Sequence, residues 1–245
     1  MIIIADAHVD ADSGNVSDFF QMLRVIEKTD HDVIFLGDIF DLWVALPRYE
    51  KDIHRAFLSW CREQKKDRIV GFIEGNHEYF VADEKKDYFT WCSDAPSWRD
   101  EKDNLFCHGD QINPRDKNYL RFRKAIKNKI SKTIFRLLPF GPRIGELFKY
   151  HLKKTNLEFR KQLPKEAISN FAEAQFDQGV NMIFVAHFHQ NYRYRNRQAK
   201  GLYVLSGWFK TKQVTLYETA SEEISSLGWR EIYRLNGMAT ENTTE

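Results

Sequence analysis

Apolar residues gather in short runs, at Ile2 to Ile4, Val33 to Leu36, Ile69 to Ile73, Leu105 to Cys107, Met182 to Val185 and Leu202 to Leu205, rich in β-branched residues or Phe. Runs of that length with little polar interruption predict buried strands. Between them the apolar spacing becomes helical: Phe19, Phe20, Leu23 and Ile26 follow Ser17 and Asp18, either of which suits an N-cap. Strands alternating with helices predict an α/β sandwich.

One stretch breaks the alternation. From Leu120 to Leu138, Phe122, Ile126, Ile130 and Ile134 recur at steps of four among lysines and arginines, which predicts one basic amphipathic helix. Pro139, Gly141 and Pro142 end it, a second basic stretch runs from about Ile144 to Lys161, and Pro164 precedes a helix reaching toward Gly179. The pattern reads as a helical hairpin inserted between strands. Charge marks the same segment: residues 117–165 hold 15 Lys or Arg against two acids, leaving 22 basic and 33 acidic residues elsewhere under a net charge of only +2. A basic segment on an acidic body suggests a task of its own. The expected organisation is a core of residues 1–116 and 166–235, a basic helical lid at 117–165, and a frayed tail at 236–245.

With 245 residues, 42% of them hydrophobic, the chain can bury a full core without staples. Cys61, Cys92 and Cys107 are odd in number and widely spaced, which argues against a disulfide framework or a thiolate metal knuckle. The start, Met1 to Asp6, has no basic n-region and too short an apolar run for a signal peptide or a membrane span, so a cytoplasmic location is expected.

The chemistry lies just beyond the strands. Asp6 and His8 follow the first run, Gly37-Asp38 the second, Gly75-Asn76-His77 the third, His108-Gly109-Asp110 the fourth, and His187 and His189 the fifth. Strand carboxyl ends are where α/β sheets bind ligands, so these residues can converge. Taken singly, each has an ordinary reading as a cap, a turn or a core histidine. Five of the eight histidines stand at these ends, however, while His31, His54 and His151 have no such context and are read as structural or surface residues. Carboxylate, amide oxygen and imidazole without cysteine suit Mn2+, Fe or Zn2+ better than a Ca2+ or Mg2+ cage. Seven candidates, Asp6, His8, Asp38, Asn76, His108, His187 and His189, exceed the needs of one ion and suit two that share Asp38.

In order and approximate spacing the series Asp6-Ala7-His8, Gly37-Asp38-Ile39-Phe40-Asp41, Gly75-Asn76-His77-Glu78, His108 and Ala186-His187-Phe188-His189 resembles the motifs of the calcineurin-like metallophosphoesterases, with Ala186 where Gly is usual. The resemblance implies a four-layer α/β/β/α double β-sandwich. It also implies one metal on Asp6, His8, Asp38 and His189, another on Asp38, Asn76, His108 and His187, and His77 beside them as a catalytic residue that binds phosphate or protonates the leaving oxygen. Manganese is the metal it implies, with iron and zinc as alternatives.

A narrower likeness, carried by Phe35 to Trp43, Leu105 to Pro139 and Tyr203 to Trp208, is to the UDP-2,3-diacylglucosamine hydrolases of lipid A biosynthesis, whose helical lid is inserted after the His-Gly-Asp motif. It implies hydrolysis of a lipid-linked sugar nucleotide to UMP and 2,3-diacylglucosamine 1-phosphate. Implied substrate contacts are Asn76, His77, Asp116, Asn156 and His187, with Arg160 and Lys161 beside them. This chain departs from that group at His77, where many members carry Arg, and at Leu152 and Phe159, where Ser and Lys are expected. Apolar lid faces suit acyl chains, and the Lys and Arg heads suit phosphate and peripheral contact with an anionic membrane; equally, the helix could pack on the sandwich with its charges solvated. Two alternatives stand: a phosphodiesterase or phosphatase acting on a soluble ester, and a non-catalytic scaffold binding RNA or a protein through the basic segment. Intact ligand motifs argue against the scaffold, and nucleic acid is not the expected partner.

Overall fold

The computed structural model describes residues 1–139, 141 and 163–236. Two sheets carry the architecture. The first has the order β13-β12-β1-β2-β4-β6, with β1 (Ile2–Ile4), β2 (Val33–Phe35), β4 (Val70–Ile73) and β6 (Trp91–Ser93) parallel, and β12 (Gln213–Glu218) and β13 (Glu223–Gly228) antiparallel at one side. The second has the order β10-β11-β9-β8-β7. There β8 (Asn104–Cys107), β9 (Met182–Val185) and β11 (Gly201–Val204) run parallel between antiparallel edges β7 (Trp98–Arg99) and β10 (Tyr192–Arg195). A two-stranded ladder of β3 (Trp43–Val44) and β5 (Glu78–Tyr79) completes the set.

Side-chain alternation sorts the strands into layers. Ile3, Ile34 and Ile73 meet Phe106, Phe184 and Tyr203 between the sheets. Ile2, Ile4, Phe35 and Phe72 point the other way, onto Phe19 and Leu23 of α1 (Val16–Ile26) and Phe57 of α2 (Asp52–Gln64). On the outer side of the second sheet, Ile183, Val185 and Val204 pack on Ile168, Ala172 and Phe176 of α6 (Lys165–Phe176). This is the expected four-layer α/β/β/α sandwich.

All six apolar runs are strands. Of the strands not anticipated, β3 and β7 are too short to show a period, and β10 and β13 carry polar residues on an exposed face. Asn15, not Ser17 or Asp18, precedes the first helical residue of α1. Its side chain instead brackets the first motif loop, donating to the carbonyls of Ala7 and His8 (both 3.2 Å) and accepting from Asp10 N–H (3.1 Å).

The single basic helix is a correction. Residues 117–137 form α4 (Lys117–Ile126) and α5 (Lys129–Leu137), broken at Lys127 and Asn128. Asn128 takes the backbone conformation of an N-cap and closes both ends, accepting from Ser131 N–H (2.9 Å) and donating to the carbonyls of Lys124 (3.0 Å) and Ala125 (2.7 Å). The second basic stretch and the tail after Asn236 lie outside the described residues. A short helix α3 (Val81–Lys85) lies beside α5, and α7 (Trp208–Thr211) follows β11. No helix among the described residues is long and apolar enough to cross a membrane. The three cysteines are free.

Candidate metal centre

The five strands that precede the motifs, β1, β2 and β4 in one sheet and β8 and β9 in the other, bring their carboxyl ends to one edge. There the chain must turn sharply. Asp6, His8, Asp38, His187 and His189 all have positive φ, between 42° and 69°, a region that non-glycine residues rarely enter. Strain held at five of the seven candidate ligands marks the edge as a site. Two glycines let its loops meet: a Cβ on Gly37 would lie 2.5 Å from Gly75 N, and one on Gly75 would lie 2.3 Å from Asp38 Oδ1. The fully buried Glu78 ties these loops together, accepting from Gly75 N–H (2.9 Å), Asp38 N–H (2.8 Å) and Ile39 N–H (2.7 Å). Burial, then the Asp38 carboxylate, pushes Glu78 up to about 8.

Around Asp38 the candidates fall into two groups. In the first, Asp6 Oδ1 lies 3.2 Å and His8 Nε2 3.4 Å from His189 Nε2, while His8 Nε2 is 3.8 Å from Asp38 Oδ2. In the second, Asn76 Oδ1 lies 3.0 Å from His108 Nε2 and 2.9 Å from His187 Nδ1, and Asp38 Oδ1 is 3.5 Å from His108 Nε2. Atoms sharing an ion at about 2.1 Å stand about 3.0–3.5 Å from one another. The His189 pairs with Asp6 and His8 and the His108 pairs with Asn76 and Asp38 match that spacing, His8 and Asp38 stand slightly wider, and the nitrogen and oxygen donors fit borderline divalent ions.

Burial, helped by His77, holds His8 down to about 3, and burial with His108 holds His187 to about 4, so both keep neutral lone pairs. Burial opposes charge on His108 as well. There Asp38, with Asp6 and Asp110 behind it, outweighs burial and lifts the ring to about 10. Burial alone would raise Asp38, but His77, His108 and His8 hold it well below the usual carboxylate range. This is a pocket of fixed negative charge that attracts cations.

His77 is buried beside both groups. Its ring Nδ1 lies 2.5 Å from the Asp41 carbonyl, its backbone N–H donates to Asp38 Oδ1 (2.8 Å), and Nε2, without a hydrogen-bond partner among the described residues, lies 3.8 Å from Asp38 Oδ2. An Nδ1–H on that carbonyl leaves Nε2 turned toward the ligands. His77 also lies close enough to His8 and Asp38 to share an ion with them.

Of the other implied substrate contacts, Asp116 caps α4 by accepting from Tyr119 N–H (3.1 Å) and does not join the cluster. Asn156, Arg160 and Lys161 lie outside the described residues. His54, read as structural or surface, is a core residue, its ring stacked on Trp43 and its Nδ1 accepting from Lys51 N–H (3.2 Å). Sequence reasoning missed the tie made by Glu78, whose only signal is its place in Gly-Asn-His-Glu, and the buried ion pairs of Arg123 and Lys127.

Residues 1–191 match the family described as Calcineurin-like phosphoesterase. Among curated relatives, the UDP-2,3-diacylglucosamine hydrolase of Photobacterium profundum is 24% identical over 209 residues, covering 77% of this chain and 78% of the relative. That of Histophilus somni is 24% identical over 220 residues, covering 86% and 93%, and that of Shewanella loihica is 23% identical over 243 residues, covering 94% and 97%. Since the matched span reaches from the first strand past His189 and takes in every strand end that supplies the cluster, this chain is a hydrolase that belongs to the calcineurin-like phosphoesterases.

Proposed function

We propose that this hydrolase uses two divalent metal ions to cleave the pyrophosphate of UDP-2,3-diacylglucosamine, releasing UMP and 2,3-diacylglucosamine 1-phosphate. The observation that carries the two-metal reading is the division of labour at Asp38, whose Oδ2 faces His8 while Oδ1 faces His108. Asp6, His8 and His189 would hold one ion and Asn76, His108 and His187 the other, with Asp38 shared; manganese is the proposed metal. Bound there, the ions would neutralise phosphate charge and activate water for attack.

The chain's own residues supply the rest. Asp38 sets the two halves against each other, and its near-complete burial keeps bulk water from screening them. His77 presents Nε2 to the phosphate, donating a proton to a non-bridging oxygen or to the oxygen that leaves. Overall, one water is consumed and one anhydride P–O bond is broken. The acylated substrate is supported by the names of the relatives and their coverage of both chains. In this reading residues 117–165 form a lid, Asp116, Asn156, Arg160 and Lys161 contact substrate, and the protein works at the cytoplasmic face of a membrane.

A second reading, a phosphodiesterase on a soluble ester, is favoured by His77 itself and by Leu152 and Phe159 in the lid. Purified protein assayed for bound metal and for UMP release from UDP-2,3-diacylglucosamine separates the two. Turnover of bis-p-nitrophenyl phosphate alone refutes the lipid substrate and keeps the soluble one. Chelator-insensitive RNA binding without turnover refutes both.

A further inference from the structure

Two cations of the basic insertion do not face solvent. Arg123 Nε lies 2.7 Å from Asp110 Oδ2, with the side chains 12% and 3% exposed, and the Tyr119 hydroxyl donates to the same oxygen. One helical turn on, Lys127 Nζ donates to the Gly75 carbonyl (2.5 Å) and lies 3.3 Å from Glu74 Oε2, with side chains 8% and 1% exposed. Glu74 is fixed in turn by Ala82 N–H on its other oxygen (2.8 Å). The break between α4 and α5 serves this contact: Lys127 leaves helical geometry (φ −91°, ψ 63°), and Asn128 closes the helix ends on either side.

The partners gripped are not arbitrary. Glu74 and Gly75 immediately precede Asn76, and Asp110 stands two residues after His108. Asn76 and His108, 3.0 Å apart, are both candidates for the second ion. The first group is held otherwise: Asn15 braces the Ala7 and His8 carbonyls, and Phe209 N–H donates to the Asp6 carbonyl (3.1 Å). Among the described residues, no hydrogen bond or ion pair joins the insertion to Asp6, His8 or His189.

We propose that Arg123 and Lys127 are positioning residues that clamp the loops carrying Asn76 and His108, so that the insertion sets the geometry of the second metal half-site and leaves the first alone. This rests on the two-metal reading above. A purely structural anchor would lower stability without distinguishing the ions. The clamp couples the insertion to one of them, because a loop freed at Gly75 or Asp110 no longer holds its ligand at fixed distance from the other.

Calorimetric titration of the metal-stripped full chain with Mn2+ alone tests this. Wild type is expected to bind two ions. Lys127→Met and Arg123→Met are each expected to weaken one of them by about 10- to 100-fold and leave the other within about twofold. Asn76→Ala should weaken the same ion, and adding it to Lys127→Met should give much less than the product of the two single effects. Lys127→Arg, which keeps the charge, should restore most of the loss. Lys132→Ala, on the same insertion but paired with α3, should leave both ions unchanged. Equal weakening of both ions, or of neither, overturns the clamp. Fewer than two ions in wild type overturns the two-metal reading instead. Should the methionine variants not fold, Arg123→Lys decides the matter: it retains charge but lacks the Nε contact, so it should weaken the second ion alone, and unchanged binding refutes the clamp.

Discussion

The metal edge and the helical insertion use charge in opposite ways. At the edge, Asp6 and Asp38 are buried among imidazoles that they attract, and the chain accepts left-handed backbone at five positions to bring them there. The balance there favours a bound cation. In the insertion, Arg123, Lys127, Lys132 and Arg136 already have carboxylate partners, on Asp110, Glu74, Asp83 and Glu84. The apolar stripe, by contrast, is not satisfied: Ile130 and Leu137 are each 75% exposed and Ile134 53%. A sequence tract that looks built to offer charge and hide apolar surface does the reverse in part, because helix placement decides which face meets the core. Function concentrates where the fold leaves charge unbalanced.

Disrupting the edge should therefore cost far more activity than disrupting the insertion's outer pairs. Asp38→Ala removes the carboxylate shared by both halves. Turnover should fall by at least about 10³-fold and bound metal should drop below two ions per chain, by plasma emission analysis; wild-type rate in this variant would falsify the shared role. His77→Gln keeps the metals but loses the proton, so kcat should fall by about 10²- to 10⁴-fold with unchanged metal content. Loss of metal in this variant would make His77 a ligand.

A smaller effect probes the aromatic layer behind the edge, where His54 packs on Phe40 and Trp43. Burial, with Lys51 and Arg55 adding to it, holds His54 down to about 3. The unfolded chain takes up a proton near pH 6.5, whereas the folded chain resists until about pH 3. Stability is thus lost as pH falls through that window, by up to about 1.4 kcal/mol per pH unit from this group. Urea denaturation at several pH values should show His54→Phe with a shallower slope, and an unchanged slope would refute the assignment. Smallest of all, Lys132→Ala should cost no more than about 1 kcal/mol of stability, since Asp83 is largely exposed and Glu84 keeps Arg136 as a partner. A loss of several kcal/mol would mean that the outer pairs, too, anchor the insertion.

The edge was legible in sequence because its chemistry is local. Each ligand sits within a few residues of a buried strand, and buried strands declare themselves as apolar runs. Parallel pairing then brings the ends together whatever the intervening lengths. Glu78 was less legible, since its work is to satisfy backbone N–H groups of Asp38 and Ile39, forty residues back. Lys127 was not legible at all. Its period is that of a surface lysine, and only the break at Asn128 turns it toward Gly75. His54 is structural, one of the two readings the sequence left open for it, but no neighbour in sequence announces Trp43 as its stacking partner.

By itself, then, the sequence determined the buried strands, the α/β class and the seven candidate ligands, because strand period and motif spacing are properties of neighbours along the chain; the four layers followed from the family resemblance that those motifs carry. Tertiary structure alone decided the division of those ligands around Asp38, the bracing by Asn15 and Glu78, and the pairing of the insertion's cations with buried carboxylates. Each of these depends on distances across the fold, where a fraction of a turn or one broken helix decides which charge meets which.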